Sequence, residues 1–355
     1  MSINSSIARS VCLSFVLTLA AAWAALAAEP SGTDPATTPG GKRHPPVAAY
    51  RVSGPYTHQN LAVFVLHSDR RDDRDFLTLD EGLRRGLIKV TEKQDAEVRE
   101  LLIENRSDKP CYIQEGDRLK GGKQDRTIYA SIVIKPRSGA VALPSFCIEQ
   151  SRWRKGQSGD QFQATGNAAL SPKSVRLAAK VGKDQSKVWK EVAKTKMAYA
   201  QALQAANKTS SLNEALDSPE LTKAAAAFQA KLESIHARHG DAVGVAFAVN
   251  GKIEEVSIYP GNPLLRKVYP RLLQSYAMEA AAGVKRTKPD AAGTKPLRHP
   301  TANEVLAFMA QSKAKAVRRE KLNTQNALEV DDLGGRYRAI SRYGNVTVHE
   351  QYLAK

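Results

Sequence analysis

The chain is short of the residues that usually announce a chemistry. Three cysteines in 355 residues, Cys12, Cys111 and Cys147, exclude a disulfide-stapled scaffold, and no Cys/His spacing of a zinc module occurs. Aromatic residues make up only 6% and are not interleaved with basic ones, so a nucleic-acid partner is not favoured. No GxxxxGK[ST] loop is present, which removes the P-loop nucleotide binders. After the first 28 residues no apolar run is long enough to cross a bilayer, so no span is expected in the mature chain. Acidic residues are outnumbered, 36 against 53 basic, and the formal net charge is +17.

What is present begins with residues 1–27, which read as a secretory signal peptide. Arg9 is the only charge of a short n-region, Val11 to Leu26 is apolar, and Ala25-Leu26-Ala27 supplies an A-x-A site with cleavage after Ala27. The expected location is a periplasm or the outside of the cell. There the positive charge favours an anionic small molecule or an anionic envelope polymer as partner. An oxidising compartment permits a Cys111–Cys147 disulfide, while two separate buried thiols is the alternative.

Residues 28–55 are rich in Pro, Gly and Thr and read as a flexible linker, leaving 56–355 as one domain. Asn60–Leu66 is an apolar strand suited to the middle of a sheet. Leu79, Leu83 and Leu87 recur at helical spacing. Strands are expected at Ile88–Thr91, Val98–Glu104, Cys111–Ile113, Asp117–Leu119, Thr127–Ile134 and Leu143–Glu149. Ser171-Pro172 reads as a cap followed by proline at the first helical position, and opens a helical region to about Asn207 with a break near Gly182–Asp184. Across Lys173–Lys196 eight basic residues face two acidic ones, the mark of a solvated face. Ser218-Pro219 starts a helix to His236. Asn250-Gly251 joins the strongest hairpin, Val243–Val249 with Lys252–Tyr259. Pro263–Ala282 and Asn303–Lys315 read as helices on either side of a basic linker, 283–300. A hairpin around Gly344-Asn345 ends the chain. The pattern is α+β: a largely antiparallel sheet built from hairpins, with the helices grouped in the middle of the chain.

Two segments gather the residue types from which sites are made. Gly121-Gly122-Lys123-Gln124-Asp125-Arg126 has glycines that admit a close ligand and two cations that could hold an anion, with Gln124 to orient it. It is equally a Gly-Gly turn with exposed charges. The second segment contains Cys147, Glu149, Arg152 and Trp153. Cys147 is a candidate nucleophile if His236, His239 or His349 lies beside it, and otherwise a small buried residue. Glu149 is a candidate acid or base, or half of an ion pair with Arg152. His236 and His239 lack a third partner, so no metal is expected, and nothing calls for a cofactor.

Gly121–Arg126 followed by Pro144-Ser145-Phe146-Cys147-Ile148-Glu149-Gln150-Ser151-Arg152-Trp153 resembles the ARG and rhodanese-phosphatase-superfamily-associated protein domain, where ARG stands for ADP-ribosylglycohydrolase. Gln185-Ser186-Lys187-Val188-Trp189, Gly251-Lys252 with Val256–Tyr259, and His349 extend the resemblance over about residues 56–355. It implies an association with enzymes acting on ADP-ribose and phosphates, but no reaction by itself. The expected ligand site is Gly121, Gly122, Lys123, Gln124, Arg126, Glu149, Arg152 and Trp153. Glu149 and Cys147 are the catalytic candidates should the protein prove a hydrolase of a phosphate- or ADP-ribose-like substrate. A structural role in the cell envelope, carried by the basic segments, is the third possibility.

Overall fold

The computed structural model describes residues 50–69, 72–93, 99–150, 161–204, 209–283, 297–310 and 313–355. The signal-peptide reading, most of the linker reading, Arg152, Trp153 and most of the basic linker at 283–300 lie outside the described residues.

In chain order the elements are β1 (Arg51–His58), β2 (Leu61–His67), β3 (Leu77–Thr78), α1 (Leu79–Arg84), β4 (Ile88–Glu92), β5 (Glu100–Asn105), β6 (Cys111–Ile113), β7 (Arg118–Gly121), β8 (Arg126–Ile128), β9 (Ile132–Ile134), β10 (Val141–Cys147) and β11 (Phe162–Ala164). Then come α2 (Lys173–Leu177), a π-helical turn at Ala178–Gly182, α3 (Gln185–Leu203), α4 (Leu212–Leu216), α5 (Pro219–Leu232), β12 (Ala242–Val249), β13 (Lys252–Ile258), α6 (Asn262–Gly283), α7 (Ala302–Met309), β14 (Ala316–Lys321), β15 (Asn326–Asp332), β16 (Arg336–Tyr343) and β17 (Val346–Ala354). The fold is α+β, as the hairpin spacing predicts.

The largest sheet has the order β1-β2-β12-β13-β17-β16-β15-β14, and every pair in it is antiparallel. A six-stranded sheet, β11-β7-β8-β10-β5-β4, is also antiparallel, and β3-β6-β9 form a small third sheet with one parallel pair. All seven residues of β2 are buried because both faces of its sheet are covered. Leu61, Val63 and Val65 enter the main core, while Ala62, Phe64 and Leu66 enter a second one. Helix α6 covers the first face, where Tyr276 stacks on Phe247 with ring centroids 4.5 Å apart. Val305 and Met309 of α7 belong to the second core.

Local chemistry accounts for most boundaries. Asn250 and Gly251 have φ of 52° and 77°, as a tight hairpin turn requires. Ser218 caps α5 by accepting the Leu221 N–H at 3.3 Å, with Pro219 following it. Five expectations are corrected. Residues 51–55, read as linker, form the first part of β1. Helix α2 starts at Lys173, but its cap is Pro172 and not Ser171, whose hydroxyl bonds Thr127 Oγ1 at 2.8 Å instead. The single strand expected at Thr127–Ile134 is two, β8 and β9, in different sheets. Helix α5 ends at Leu232, and a separate 3₁₀ turn holds His236–Arg238. Helix α7 stops at Met309, and the chain from Ala316 becomes β14.

Candidate functional site

The glycine-rich segment turns between β7 and β8. Gly122 has φ of 54°, and a Cβ added there would lie 2.2 Å from Phe162 Cζ and 2.7 Å from Glu92 Oε1. Glycine is needed because β11 and the Glu92 side chain press on the turn. The Lys123 N–H donates to Glu92 Oε1 at 2.8 Å. The Arg126 guanidinium donates to both Glu92 oxygens at 3.1 Å and to the Gln124 carbonyl at 2.8 Å. Its face lies over the Phe162 ring, 5.9 Å from the centroid. Asp125 accepts the Gly121 N–H at 3.0 Å and the Ser211 hydroxyl at 2.8 Å, while its own N–H donates to Glu149 Oε2 at 3.2 Å. Gly121, Gly122, Lys123, Gln124, Arg126 and Glu149 are therefore brought together as the sequence suggests. They meet in a knot of mutual hydrogen bonds, with Gln124, Arg126 and Glu149 buried.

Cys147 ends β10. Its backbone is clamped by the Gln185 amide, which accepts its N–H at 2.9 Å and donates to its carbonyl at 2.8 Å. Burial, with Arg126 only partly offsetting it, pushes the Cys147 thiol up to about 11. The three histidines considered as its base are engaged elsewhere. His236 Nδ1 is 2.8 Å from the Glu233 carbonyl, and His239 Nε2 is 2.9 Å from the Tyr56 hydroxyl. His349 lies between Ser131 Oγ at 2.9 Å and Ser257 Oγ at 3.1 Å. Cys111 and Cys147 are both buried free thiols, on strands of different sheets. Among the described residues no group of three or more His, Cys, Asp or Glu could hold a metal ion. No described helix is long and apolar enough to cross a membrane.

The open space lies beside the knot. A cleft of about 540 Å³ runs between α1, β4 and β11. Its lining includes Arg84, Lys89 and Arg106 with Gln161 and Gln163, and no carboxylate among the lining residues. Phe162, the residue pressed against Gly122, contributes to its floor while remaining buried. Arg84 is held by Asp80 at 3.0 Å and by the Thr165 carbonyl at 3.0 Å, and Arg106 by Glu104 at 2.9 Å. A second cleft of about 480 Å³ mixes Arg99, Lys183 and Lys321 with Glu100 and Glu320, so its charge is largely compensated.

A family model, the ARG and Rhodanese-Phosphatase-superfamily-associated Protein domain, matches residues 49–353. The chain belongs to this family. No curated protein and no solved structure matches it. The match starts two residues before β1 and runs to the penultimate residue of β17, so it takes in the largest sheet as well as the glycine-rich knot.

This family member also contains a buried ionic cluster that no sequence motif announces. Arg176 joins Glu115 Oε2 at 3.0 Å to Glu255 Oε2 at 2.5 Å, and Lys180 reaches Glu115 Oε1 at 3.0 Å. Gln351 Nε2 donates to Glu255 Oε1 at 2.8 Å and to Glu115 Oε2 at 3.1 Å. Tyr276 and Ser257 donate to Glu255 at 2.6 and 2.5 Å. Gly116 is required beside it, since a Cβ there would lie 2.5 Å from Arg176 Cδ. Burial opposes the charge on Glu255, but Arg176 and the hydroxyl donors outweigh it and hold the carboxyl at about 2. Burial, aided by Lys180, keeps the His349 ring neutral down to about 4. Two carboxylates and two cations cancel, so the cluster is a neutral joint between the largest sheet and the segment from β6 to β9. Arg176 and Lys180, which the sequence places on a solvated basic face, are fully buried. The available signal was polar spacing: Glu255 and Ser257, and His349 and Gln351, alternate along apolar strands.

Proposed function

We propose that the protein is an exported binder of a phosphate-bearing anionic small molecule, with the cleft between α1, β4 and β11 as its site. One observation carries this reading: Arg84, Lys89 and Arg106 line a cleft of about 540 Å³ that has no lining carboxylate. Lys89 is an ammonium on a strand already fixed by its pairing with β5, and the two guanidinium groups are held by partners at its rim. Asp80 and Glu104 offset part of this charge from outside the lining, and the donors left over on the preorganised cations are what a phosphate would meet. Gln161 and Gln163 add amide donors on the opposite wall. The glycine-rich knot supports the site instead of touching the ligand: Gly122, Arg126 and Glu92 set the position of Phe162 and with it the floor. Export rests on the sequence of residues 1–27, and phosphate chemistry is in keeping with the family's association with ADP-ribosylglycohydrolases and phosphatases.

Calorimetric titration with pyrophosphate, ADP-ribose and long-chain polyphosphate tests this. The expected result is saturable binding of a small ligand that falls by about tenfold or more in Lys89→Glu and in Arg106→Glu, and weakens with salt. Binding that both substitutions leave unchanged overturns the site. Binding of the polymer alone, insensitive to both, would favour an envelope-interaction role carried by the basic surface.

A further inference from the structure

The face of β2 that carries Leu61, Val63 and Val65 into the main core ends at His67. There three residues from separate parts of the chain line up. Ser53 Oγ, on edge strand β1, is 2.8 Å from His67 Nε2. His67 Nδ1 is 2.8 Å from Oδ1 of Asp241, the residue before β12. The other Asp241 oxygen, Oδ2, accepts from the Arg51 guanidinium at 2.6 Å, which fixes the plane of the carboxylate. In the neutral ring, a carboxylate against Nδ1 places the proton there and leaves Nε2 to accept from Ser53. The imidazole side chain is 6% exposed and the Asp241 side chain 40% exposed. Ser53 is half-buried, on the edge strand, while the imidazole is shielded.

The backbone supplies this placement without the side chains. Arg51 pairs with His67 and Ser53 with Val65, so Ser53 and His67 are diagonal neighbours on one face, and the ladder register shifts immediately after Ser53. Tyr56, beyond that shift, puts its hydroxyl 3.5 Å from Ser53 Oγ and 2.9 Å from His239 Nε2. When His239 donates to the phenol oxygen, the phenol proton points toward Ser53. A carbonyl group adding to Ser53 Oγ would bring its oxygen, where negative charge develops, near that proton.

We propose that Ser53, His67 and Asp241 form a nucleophilic triad that hydrolyses carboxylic esters, an activity separate from anion binding in the basic cleft. Ser53 Oγ attacks the ester carbonyl carbon and passes its proton to His67 Nε2. The carbon–oxygen bond to the alcohol then breaks, and the leaving oxygen takes that proton. Water attacks the acyl-serine, gives a proton to His67, and releases the carboxylic acid as Ser53 regains its hydrogen. Asp241 holds the ring in the required tautomer and stabilises the imidazolium. Tyr56 donates to the developing oxyanion. The site lies at the edge of the sheet, on β1, and a small acyl ester such as an acetate is the simplest substrate to test there.

The test is labelling of the full chain with a fluorophosphonate reporter, with peptide mapping, alongside hydrolysis of p-nitrophenyl acetate. The expected result is an adduct on the peptide containing Ser53 that disappears in Ser53→Ala, with ester hydrolysis lost in parallel. Asp241→Asn is expected to slow labelling by about a hundredfold or more, because the amide stabilises the wrong tautomer. Both substitutions fall outside the fully buried core, and circular dichroism checks that the fold is kept. No adduct on Ser53 in the unmodified chain overturns the proposal. So does labelling or hydrolysis that survives Ser53→Ala, or a labelling rate that Asp241→Asn leaves unchanged in folded protein.

Discussion

Arg126 donates to both carboxylate oxygens of Glu92 at 3.1 Å, and the two side chains are 1% and 6% exposed. The arginine that looked most like an anion ligand already holds an anion, and that anion belongs to the chain. Arg126→Ala leaves Glu92 buried without its main partner and is expected to cost about 3–5 kcal/mol. The double replacement Arg126→Met with Glu92→Met should recover much of that loss. Urea unfolding of the three proteins checks the order.

Gly122→Ala combines a left-handed backbone with a contact of 2.2 Å to the Phe162 ring. The expected penalty is about 2–4 kcal/mol, the sum of αL strain and overpacking. Adding Phe162→Leu should relieve part of it, since the ring is the nearest obstacle. Thermal unfolding of the single and double substitutions measures the coupling.

The buried joint makes stability fall in acid in two stages. The folded state keeps His349 neutral down to about 4, whereas an ordinary histidine takes its proton near 6.5. Between those values the unfolded chain binds more protons, so stability declines as pH is lowered from 6.5 towards 4. The full effect is on the order of 3 kcal/mol. Below that, Glu255 contributes: its stabilisation is complete above its ordinary value of 4.5 and is lost as pH falls towards about 2. His349→Gln should flatten the first stage and leave the second. Urea midpoints between pH 7 and pH 3 separate them.

Cys111 and Cys147 are expected to be inert in the native protein. Burial raises both thiols, and neither forms a disulfide. Alkylation followed by mass spectrometry should find neither modified until the chain is unfolded, and a reductant should leave the melting temperature unchanged.

Much of the fold was legible because it obeys short-range rules. Asn250-Gly251 demanded a hairpin, Ser218-Pro219 a helix start, and the unbroken apolar run at Leu61–Leu66 an interior strand. Failures came where long-range partners decided. Ser171 looked like a cap, yet its hydroxyl bonds Thr127, 44 residues away. Arg176 and Lys180 looked solvated because their carboxylate partners, Glu115 and Glu255, are distant in sequence. β15 was hidden by its composition: Asn326, Leu328 and Val330 alternate as a strand should, but Ala327, Glu329 and two aspartates dilute the signal. The crowding around Gly121–Arg126 and Glu149 was visible, and the structure brings those residues together. Their orientation towards one another was not legible, because Glu92 and Phe162, which determine it, belong to neither motif. Ser53, His67 and Asp241 had no motif at all; only pairing of β1, β2 and β12 unites them.

The position of β2 also has a consequence for how the chain reaches this structure. Its partner on one side is β1, a few residues earlier, but on the other side Val65 pairs with Val245, 180 residues later. An apolar ribbon with both faces destined for burial must wait, one edge open, until most of the chain has been made. Topology of this kind slows folding and leaves an adhesive edge exposed in the meantime. Leu61–His67 is thus the segment whose open edge is most prone to pair with another chain before β12 arrives.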